Sequence, residues 1–588
     1  MKHRIIGNGE PIIILRGLCR SLEYWLGFED ELAKYFKVVM IDLPGMDDLS
    51  EITPMTTKAN VDLLAQKIAE LKKDIGEPPY NVFGLSLGGM AASGLAYYHP
   101  KLVKNLMIAS TSSRQFRIPR INFRPLFKIL LSAAIYGKSN IHKKIGKYLI
   151  SNEFIKKSPW ILEKWDELLS RQKITVANLF RQLAAAMTSL SPSMLRKLKV
   201  PALILAGEDD ALVPFRNSVI ISKAIKNSVL IVLPGFGHEV TLESASEITN
   251  IIKDFVEWQG SSDLKYKYQI IKDTPEGFQL NQLCEEHGDK LEIEILEHIE
   301  NSYYKTPMYA FYVGHKPDPK LPTIALFAGF HGIEWIGASV LMNFLDHILC
   351  SMDWDEGLKE TLSKINLCGI PIVNPIGRIE GTRMNGRGID LMRNSPVIAE
   401  KASFMIGGQN LSSHLPWYRG EKLEKENLTV LKFLDDHVMP SPFKLTLDIH
   451  SGFVKTSKIW FPYASGRKLP EQEEGMINSI GKYLNKIFKY NMYMYEKQTI
   501  TYSTNGDFWD YNMDRHCARS VGIYLPYTLE ISSYHWMIKD FLVTWNFEHV
   551  FNPAKAKEGN VEYLKHVPLL YFFLNLARNY KKFKQKTN

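Results

Sequence analysis

The sequence predicts two α/β domains in one chain, on three observations. With 588 residues, 45% hydrophobic and 23% charged, the composition is globular and the length exceeds what one core usually serves. Short β-branched runs alternate with helical stretches over residues 1–258, as parallel strands covered by helices on both faces require. The apolar pattern then lapses at "QGSSDLKYKYQ", a linker at 259–270, before a second α/β series fills 271–588.

In the first domain the start "MKHRIIGNGEPIIILRG" reads as a strand pair. Gly, Glu and Pro break its apolar run, so a signal peptide is not expected. Strands follow at "KVVMIDLPG", "YNVFGLS" and "KNLMIAS", with helices at Thr57–Lys73 and Gly89–Tyr98. Residues 114–195 interrupt the alternation with a helical insert rich in Lys, Arg and aromatics. Its length suits a cap over an active site, or a few extra packing helices. "ALILAGEDD", a helix near 216–226, "SVLIVLPG" and a last helix through "ITNIIKDFVEW" close the domain.

The second domain offers strands at "LEIEILEHI", "MYAFYVGH", "TIALFAG", "INLCGIPIVN", "FKLTLDIHSG" and "IYLPYTLEIS". Helices are predicted near 334–350, 425–438 and 471–488, and "HVPLLYFFLNLARNYKKFKQ" reads as an amphipathic closing helix packed on its own domain.

The bulk charge, 72 basic against 63 acidic residues and net +9, reads as solvated faces, and no nucleic-acid partner is predicted. No window reaches the roughly 20 apolar residues of a membrane span. Five widely spaced cysteines without a CxxC pair suit free thiols in a reducing compartment, so a cytoplasmic protein is expected. The sequence leaves the oligomeric state open.

"GLSLGG" sets Ser86 between Gly84 and Gly88 at a strand-to-helix turn too sharp for side chains. The turn lifts the hydroxyl off the sheet and makes the Leu87 N–H an oxyanion donor. A neutral serine needs a base and an orienting carboxylate. His238 in "LPGFGHEV" is the base, and the "VP" that follows "GEDDAL" favours Asp210 over Asp209 as the carboxylate. Residues 1–258 thereby resemble the α/β-hydrolase family. The family's His-Gly oxyanion loop matches "LRGLCRS" with Arg16 in place of the histidine. The resemblance implies Leu18 as second oxyanion donor, a pocket of altered charge, and an ester, thioester, lactone or small amide as substrate.

"LFAGFHGIEWIGASV" places His331 and Glu334 three apart after an apolar run, and "LTLDIHSGF" supplies His450 at another strand end. Three N and O ligands with one position left for water are a hydrolytic zinc set. Glu530, after the apolar run of "YLPYTLEIS", is the candidate general base. Arg383 and Arg393 are candidates for polarising a carbonyl and gripping a carboxylate.

"HGIE", "VNPIG", "GIDLMRN", "DIHSG" and "TLEIS" together resemble the M14 zinc carboxypeptidases over residues 265–580. The resemblance implies a mixed sheet, one Zn2+ on His331, Glu334 and His450, and Glu530 activating water. It also implies Arg383 at the oxyanion, Arg393 on the substrate carboxylate, Tyr502 of "TYSTNGDFWDY" capping the substrate, and Trp509 lining the side-chain pocket. Met392 stands where the family has a carboxylate-binding Asn. A small N-acyl amino acid, the substrate type of the related desuccinylase and aspartoacylase group, is therefore an alternative to a C-terminal peptide, with the first domain then a binding or guiding module. The combined expectation is a bifunctional hydrolase of small-molecule ester and peptide substrates.

Overall fold

The computed structural model describes all residues but 47–52, 116–119, 123–124, 126, 130–140, 173–174, 258–269, 302–303, 414, 489–491, 520–521, 535–549, 554–555 and 586–588. It divides into two compact units, Met1–Ile270 and Ile271–Asn588. The linker expected at 259–270 lies, but for Ile270, outside the described residues, as do parts of the insert at 114–195.

The first unit holds a sheet of seven strands: β1 (His3–Ile6), β2 (Glu10–Leu15), β3 (Phe36–Ile41), β4 (Tyr80–Leu85), β5 (Val103–Ala109), β6 (Ala202–Gly207) and β7 (Ser228–Leu233). Their order is β1-β3-β2-β4-β5-β6-β7. From β3 to β7 every pairing is parallel. The first two strands form but do not pair with each other. β1 instead runs antiparallel to β3, with His3 opposite Ile41. The central strands are buried on both faces; Ile12, Ile13, Ile14 and Leu15 expose nothing, which explains their unbroken apolar run.

The described part of the insert is helical, with its longest elements at Trp160–Arg171 and Val176–Met187. Trp165, Leu168, Ile141 and Ile145 share a small core with Tyr24 of the sheet domain. Arg120, from the basic patch at 114–128, is bound inward, donating to Ala186 O and Ser189 Oγ at 2.9 Å each.

The second unit holds a mixed sheet of nine strands: β8 (Ile270–Ile271), β9 (Leu291–Glu300), β10 (Tyr304–Val313), β11 (Thr323–Ala328), β12 (Asn366–Ile370), β13 (Phe443–Gly452), β14 (Ser457–Phe461), β15 (Tyr493–Lys497) and β16 (Ile523–Ser532). β12, β11, β13 and β16 form its parallel centre, and β10 and β14 border it antiparallel. β14 and β15 have no counterpart in the sequence reading. "SKIWF" and "YMYEK" are short and carry one β-branched residue between them, too little for a periodic signal.

The helix Trp335–Ser351 packs on this sheet, and the closing helix Ala556–Arg578 covers it through Leu569, Leu570, Phe573 and Leu574. Both helices therefore bury their apolar faces within their own unit. Among the described residues no single helix is long and apolar enough to cross a membrane.

Candidate active sites

In the first unit Ser86 stands between the end of β4 and the helix Leu87–Tyr98, with φ 56° and ψ −116°. A non-glycine residue pays strain energy for such a φ, and functional turns are where this is tolerated. The flanking glycines make the turn possible: a Cβ on Gly84 would collide with the Gly88 backbone, and one on Gly88 with Leu15 O.

His238 Nδ1 lies 2.7 Å from Asp210 Oδ2, and both residues are buried. Asp210 Oδ1 accepts from the backbone N–H groups of Leu212 at 2.9 Å and Val213 at 2.8 Å, fixing the carboxylate. Asp209 takes no part in these contacts. With Nδ1–H on Asp210, His238 Nε2 is the nitrogen left to act as base. Burial disfavours charge on His238, but Asp210 outweighs it and holds the ring's pKa above the ordinary value, with Glu239 adding to the effect.

Leu18 lies in the loop after β2 and Leu87 opens the helix Leu87–Tyr98, and the two segments meet at the turn, where a Cβ on Gly17 would lie 3.2 Å from Ser86 Cβ. Among the described residues no hydrogen bond engages the backbone N–H of either. The altered pocket charge expected from Arg16 is corrected by its surroundings. Arg16 is buried, stacks over Trp25 at 4.7 Å and pairs with Glu239 at 2.9 Å, so the carboxylate that follows His238 in sequence neutralises it.

Sequence reasoning missed how the insert grips this loop. Cys19 N–H donates to Gln182 Oε1 at 3.0 Å. The Arg20 guanidinium lies over Tyr24 at 4.4 Å and Trp165 at 4.9 Å. Polar residues inside a helical insert carry no periodic signal that would reveal such partners.

In the second unit three side chains converge. His331 follows β11, Glu334 precedes the helix Trp335–Ser351, and His450 lies near the end of β13, beside β11 in parallel register. All three are buried, with candidate ligand atoms within 4.8 Å of one another. His331 Nδ1 is 2.9 Å from Glu334 Oε1, His450 Nδ1 is 3.0 Å from Glu334 Oε2, and the two Nδ1 atoms are 3.2 Å apart.

Each ring turns its other nitrogen to a buried carboxylate: His331 Nε2 to Asp390 at 3.3 Å, and His450 Nε2 to Asp448 at 2.6 Å. Those carboxylates draw the ring protons to Nε2, leaving two Nδ1 lone pairs and one carboxylate facing a common point. Acceptors so arranged call for a cation, and two nitrogens with one oxygen are a hydrolytic zinc set. Burial opposes ionisation of Glu334, but His331 and His450 hold its pKa well below the carboxylate range.

Asp390 and Asp448, which hold the two rings, are residues that the sequence reading passed over. Asp448 was findable, because residues two apart on a strand share a face, which places it beside His450. Asp390 also accepts from Arg383 Nε at 2.9 Å, while Arg383 Nη1 reaches Glu334 Oε1 at 3.2 Å. Replacing Asp448 by Asn is expected to weaken zinc binding about 10–100-fold, measured by competition with a chromophoric chelator.

Glu530 pairs with His450 across the parallel β13 and β16. A Cβ at position 452 would strike Glu530 Oε1, so Gly452 provides the space for that carboxylate. Burial and the charge of Glu334 push the Glu530 pKa up to about 8, against His450 and Arg383. Arg393 is buried, with Nε on Ile406 O at 3.2 Å and Nη1 on Met392 O at 3.3 Å. Its guanidinium lies over the Tyr502 ring at 5.8 Å. Burial raises the Tyr502 pKa, with Arg393 and Arg383 opposing and Glu530 adding.

Trp509, expected in a loop, lies in a helix. It sits on the helix Phe508–Arg519, only 3% exposed, packed on Phe327 and Phe330. Its Nε1–H donates to Asp448 Oδ2 at 2.8 Å, so it supports the carboxylate that orients His450. An indole buried this deeply needs such an acceptor.

Both units thus carry the fold and the residue types of hydrolase domains. The family model for the alpha/beta hydrolase fold matches residues 10–245, and that for zinc carboxypeptidase, peptidase M14, matches residues 280–545. Each match falls within one of the two domains, the α/β-hydrolase fold in the first and the M14 zinc carboxypeptidase in the second, as the sequence motifs implied.

A monoacylglycerol lipase of Mus musculus is 25% identical over 268 residues, 44% of this chain and 79% of the lipase. A poly(3-hydroxyalkanoate) depolymerase of Ectopseudomonas oleovorans is 26% identical over 249 residues, 42% of this chain and 84% of that protein. Among solved structures, a thermophilic esterase from Thermogutta terrifontis is similar at 21% identity and a TM-score of 0.36, covering 44% of this chain and 94% of its own.

Proposed function

We propose that this is a bifunctional hydrolase. Its first domain hydrolyses an ester or related acyl bond through Ser86, His238 and Asp210. Its second hydrolyses a C-terminal peptide bond with one zinc ion on His331, Glu334 and His450. The observation that carries the reading is that each domain holds a buried histidine oriented by a buried carboxylate, at 2.7 Å for His238–Asp210 and 2.6 Å for His450–Asp448. Five cysteines, widely spaced and without a CxxC pair, support a reducing compartment, and we place the protein in the cytoplasm.

In the first domain Ser86 Oγ attacks the acyl carbon as its proton passes to His238 Nε2. Asp210 stabilises the imidazolium, and the Leu18 and Leu87 N–H groups receive the oxyanion. His238 returns the proton to the leaving group, then takes one from the water that releases the acyl chain from Ser86. The names of the two relatives, a lipase and a polyester depolymerase, support an ester as the bond cleaved.

In the second domain, zinc when bound supplies a Lewis acid that polarises a carbonyl and acidifies water. Glu530 takes the proton of the attacking water and delivers it to the leaving amine. Arg383 faces the developing oxyanion, Arg393 holds the substrate carboxylate, and Tyr502 closes over the bound chain. Buried, apolar Met392 offers no hydrogen-bonding side chain to a terminal carboxylate and favours a second reading, deacylation of a small N-acyl amino acid.

Two assays test the proposal. A fluorophosphonate probe is expected to label the wild type and not Ser86→Ala. Mass spectrometry is expected to find about one zinc per chain, lost in His331→Ala. A folded but unlabelled first domain makes that domain a binding or guiding module; absence of zinc removes the second activity. Rates on C-terminal peptides against N-acyl amino acids separate the two substrate readings.

A further inference from the structure

The cap helix Val176–Met187 is inside out. Its buried positions are Asn178, Gln182 and Ala185. Asn178 accepts from Thr53 N–H and donates to Gly45 O, and Gln182 accepts from Cys19 N–H beside the oxyanion loop. Its outward positions are apolar: Val176 is 70% exposed, Phe180 63% and Met187 62%, with Leu183 half-buried between them. At 3.6 residues per turn these four fall within about 60° of one another, a continuous stripe. Polar side chains held inward and large apolar ones turned outward reverse the usual order, and such a face marks an interaction surface.

Charge selects the occupant. Residues 114–195 carry 15 Lys and Arg against 4 Asp and Glu, a net +11, whereas the whole chain carries +9. The cap therefore holds more than all of the protein's net positive charge. A second copy of this chain would set one strongly basic cap against another. Nucleic acid would match the charge and leave the stripe in water. An anionic lipid surface satisfies both features, apolar side chains entering the acyl boundary and lysines and arginines meeting the headgroups.

We propose that the cap docks the protein peripherally on anionic membranes through Val176, Phe180, Leu183 and Met187. The polar face of the same helix holds the loop of Leu18 and Cys19, so docking brings the Ser86 domain to the lipid surface by the side that covers its oxyanion loop. This inference does not require Ser86 to turn over.

The test is co-sedimentation of the full chain with vesicles of phosphatidylcholine alone, and of phosphatidylcholine with about one-third phosphatidylglycerol. Binding is expected only to the anionic vesicles, weakening several-fold between about 0.1 M and about 0.5 M salt. Phe180→Asp with Met187→Asp is expected to weaken it at least about tenfold with an unchanged thermal midpoint, both side chains being largely exposed. Phe180→Ser serves as the milder second variant, expected to weaken binding in the same direction. Ser86→Ala is expected to bind as the wild type, so loss of docking and loss of the serine chemistry are separate outcomes. Equal binding to both vesicles, no binding to either, or binding indifferent to the Phe180 variants overturns the proposal. A dimer that the same variants dissolve would assign the stripe to a second copy instead.

Discussion

Asp210→Asn is expected to lower kcat of the ester hydrolysis by about 10⁴-fold, some 5.5 kcal/mol in the barrier, and to move its pH profile. The loss follows from the geometry: Asp210 Oδ2 is the partner of His238 Nδ1 at 2.7 Å, and without its charge the ring loses both its tautomer and the stabilisation of its cationic form. The pH effect has a definite sign. His238 works as a base only when neutral, and its pKa stands above the 6.5 of an ordinary histidine because Asp210 outweighs burial. In the wild type kcat/KM therefore falls on the acid side through a pKa above 6.5. In Asp210→Asn the burial that disfavours charge is left less opposed, and the acid limb shifts to lower pH. A limb that stays in place would mean that another group controls the profile.

Glu530→Gln is expected to lower kcat on peptide or acyl-amide substrates by about 10²–10⁴-fold, the usual contribution of general acid–base catalysis, while zinc content stays at the wild-type level. Gln fills the same space and keeps one oxygen, but it can take no proton from water and give none to the leaving amine. Because Glu530 is not among the three converging ligands, its loss is a loss of proton transfer and leaves the metal set intact. Gly452→Ala is expected to act in the same direction by driving the carboxylate from its place, since the added Cβ strikes Glu530 Oε1. Parallel loss of zinc in Glu530→Gln would instead make Glu530 a ligand.

The parts of this fold that the sequence displays are those governed by local pattern. β13 and β16 run Phe443–Gly452 and Ile523–Ser532, the two stretches read as strands, because central strands buried on both faces are long and apolar. Ser86, Asp210 and His238 stand out as candidates because each follows a strand among turn residues, and His331 and Glu334 because three positions separate them after an apolar run. What the sequence hides depends on side chains distant along the chain meeting in the fold.

Arg16 finds Glu239 across 223 positions, and nothing near either residue announces the pair. Trp509 was read as part of a loop, and it lies on the helix Phe508–Arg519. Its indole N–H is tied to Asp448 61 positions away. The Val176–Met187 helix shows strong amphipathicity, but the sequence does not say which face turns inward. Period alone predicts that the apolar face is buried, and here the polar face is.

The decisive measurement is a crossed inactivation: ester and C-terminal amide hydrolysis assayed side by side in Ser86→Ala and Glu530→Gln. Two independent centres predict that Ser86→Ala abolishes ester hydrolysis and leaves amide hydrolysis at the wild-type rate, and that Glu530→Gln does the reverse. Loss of both activities in either variant, or of neither in Ser86→Ala, would contradict the assignment of separate chemistry to the two domains.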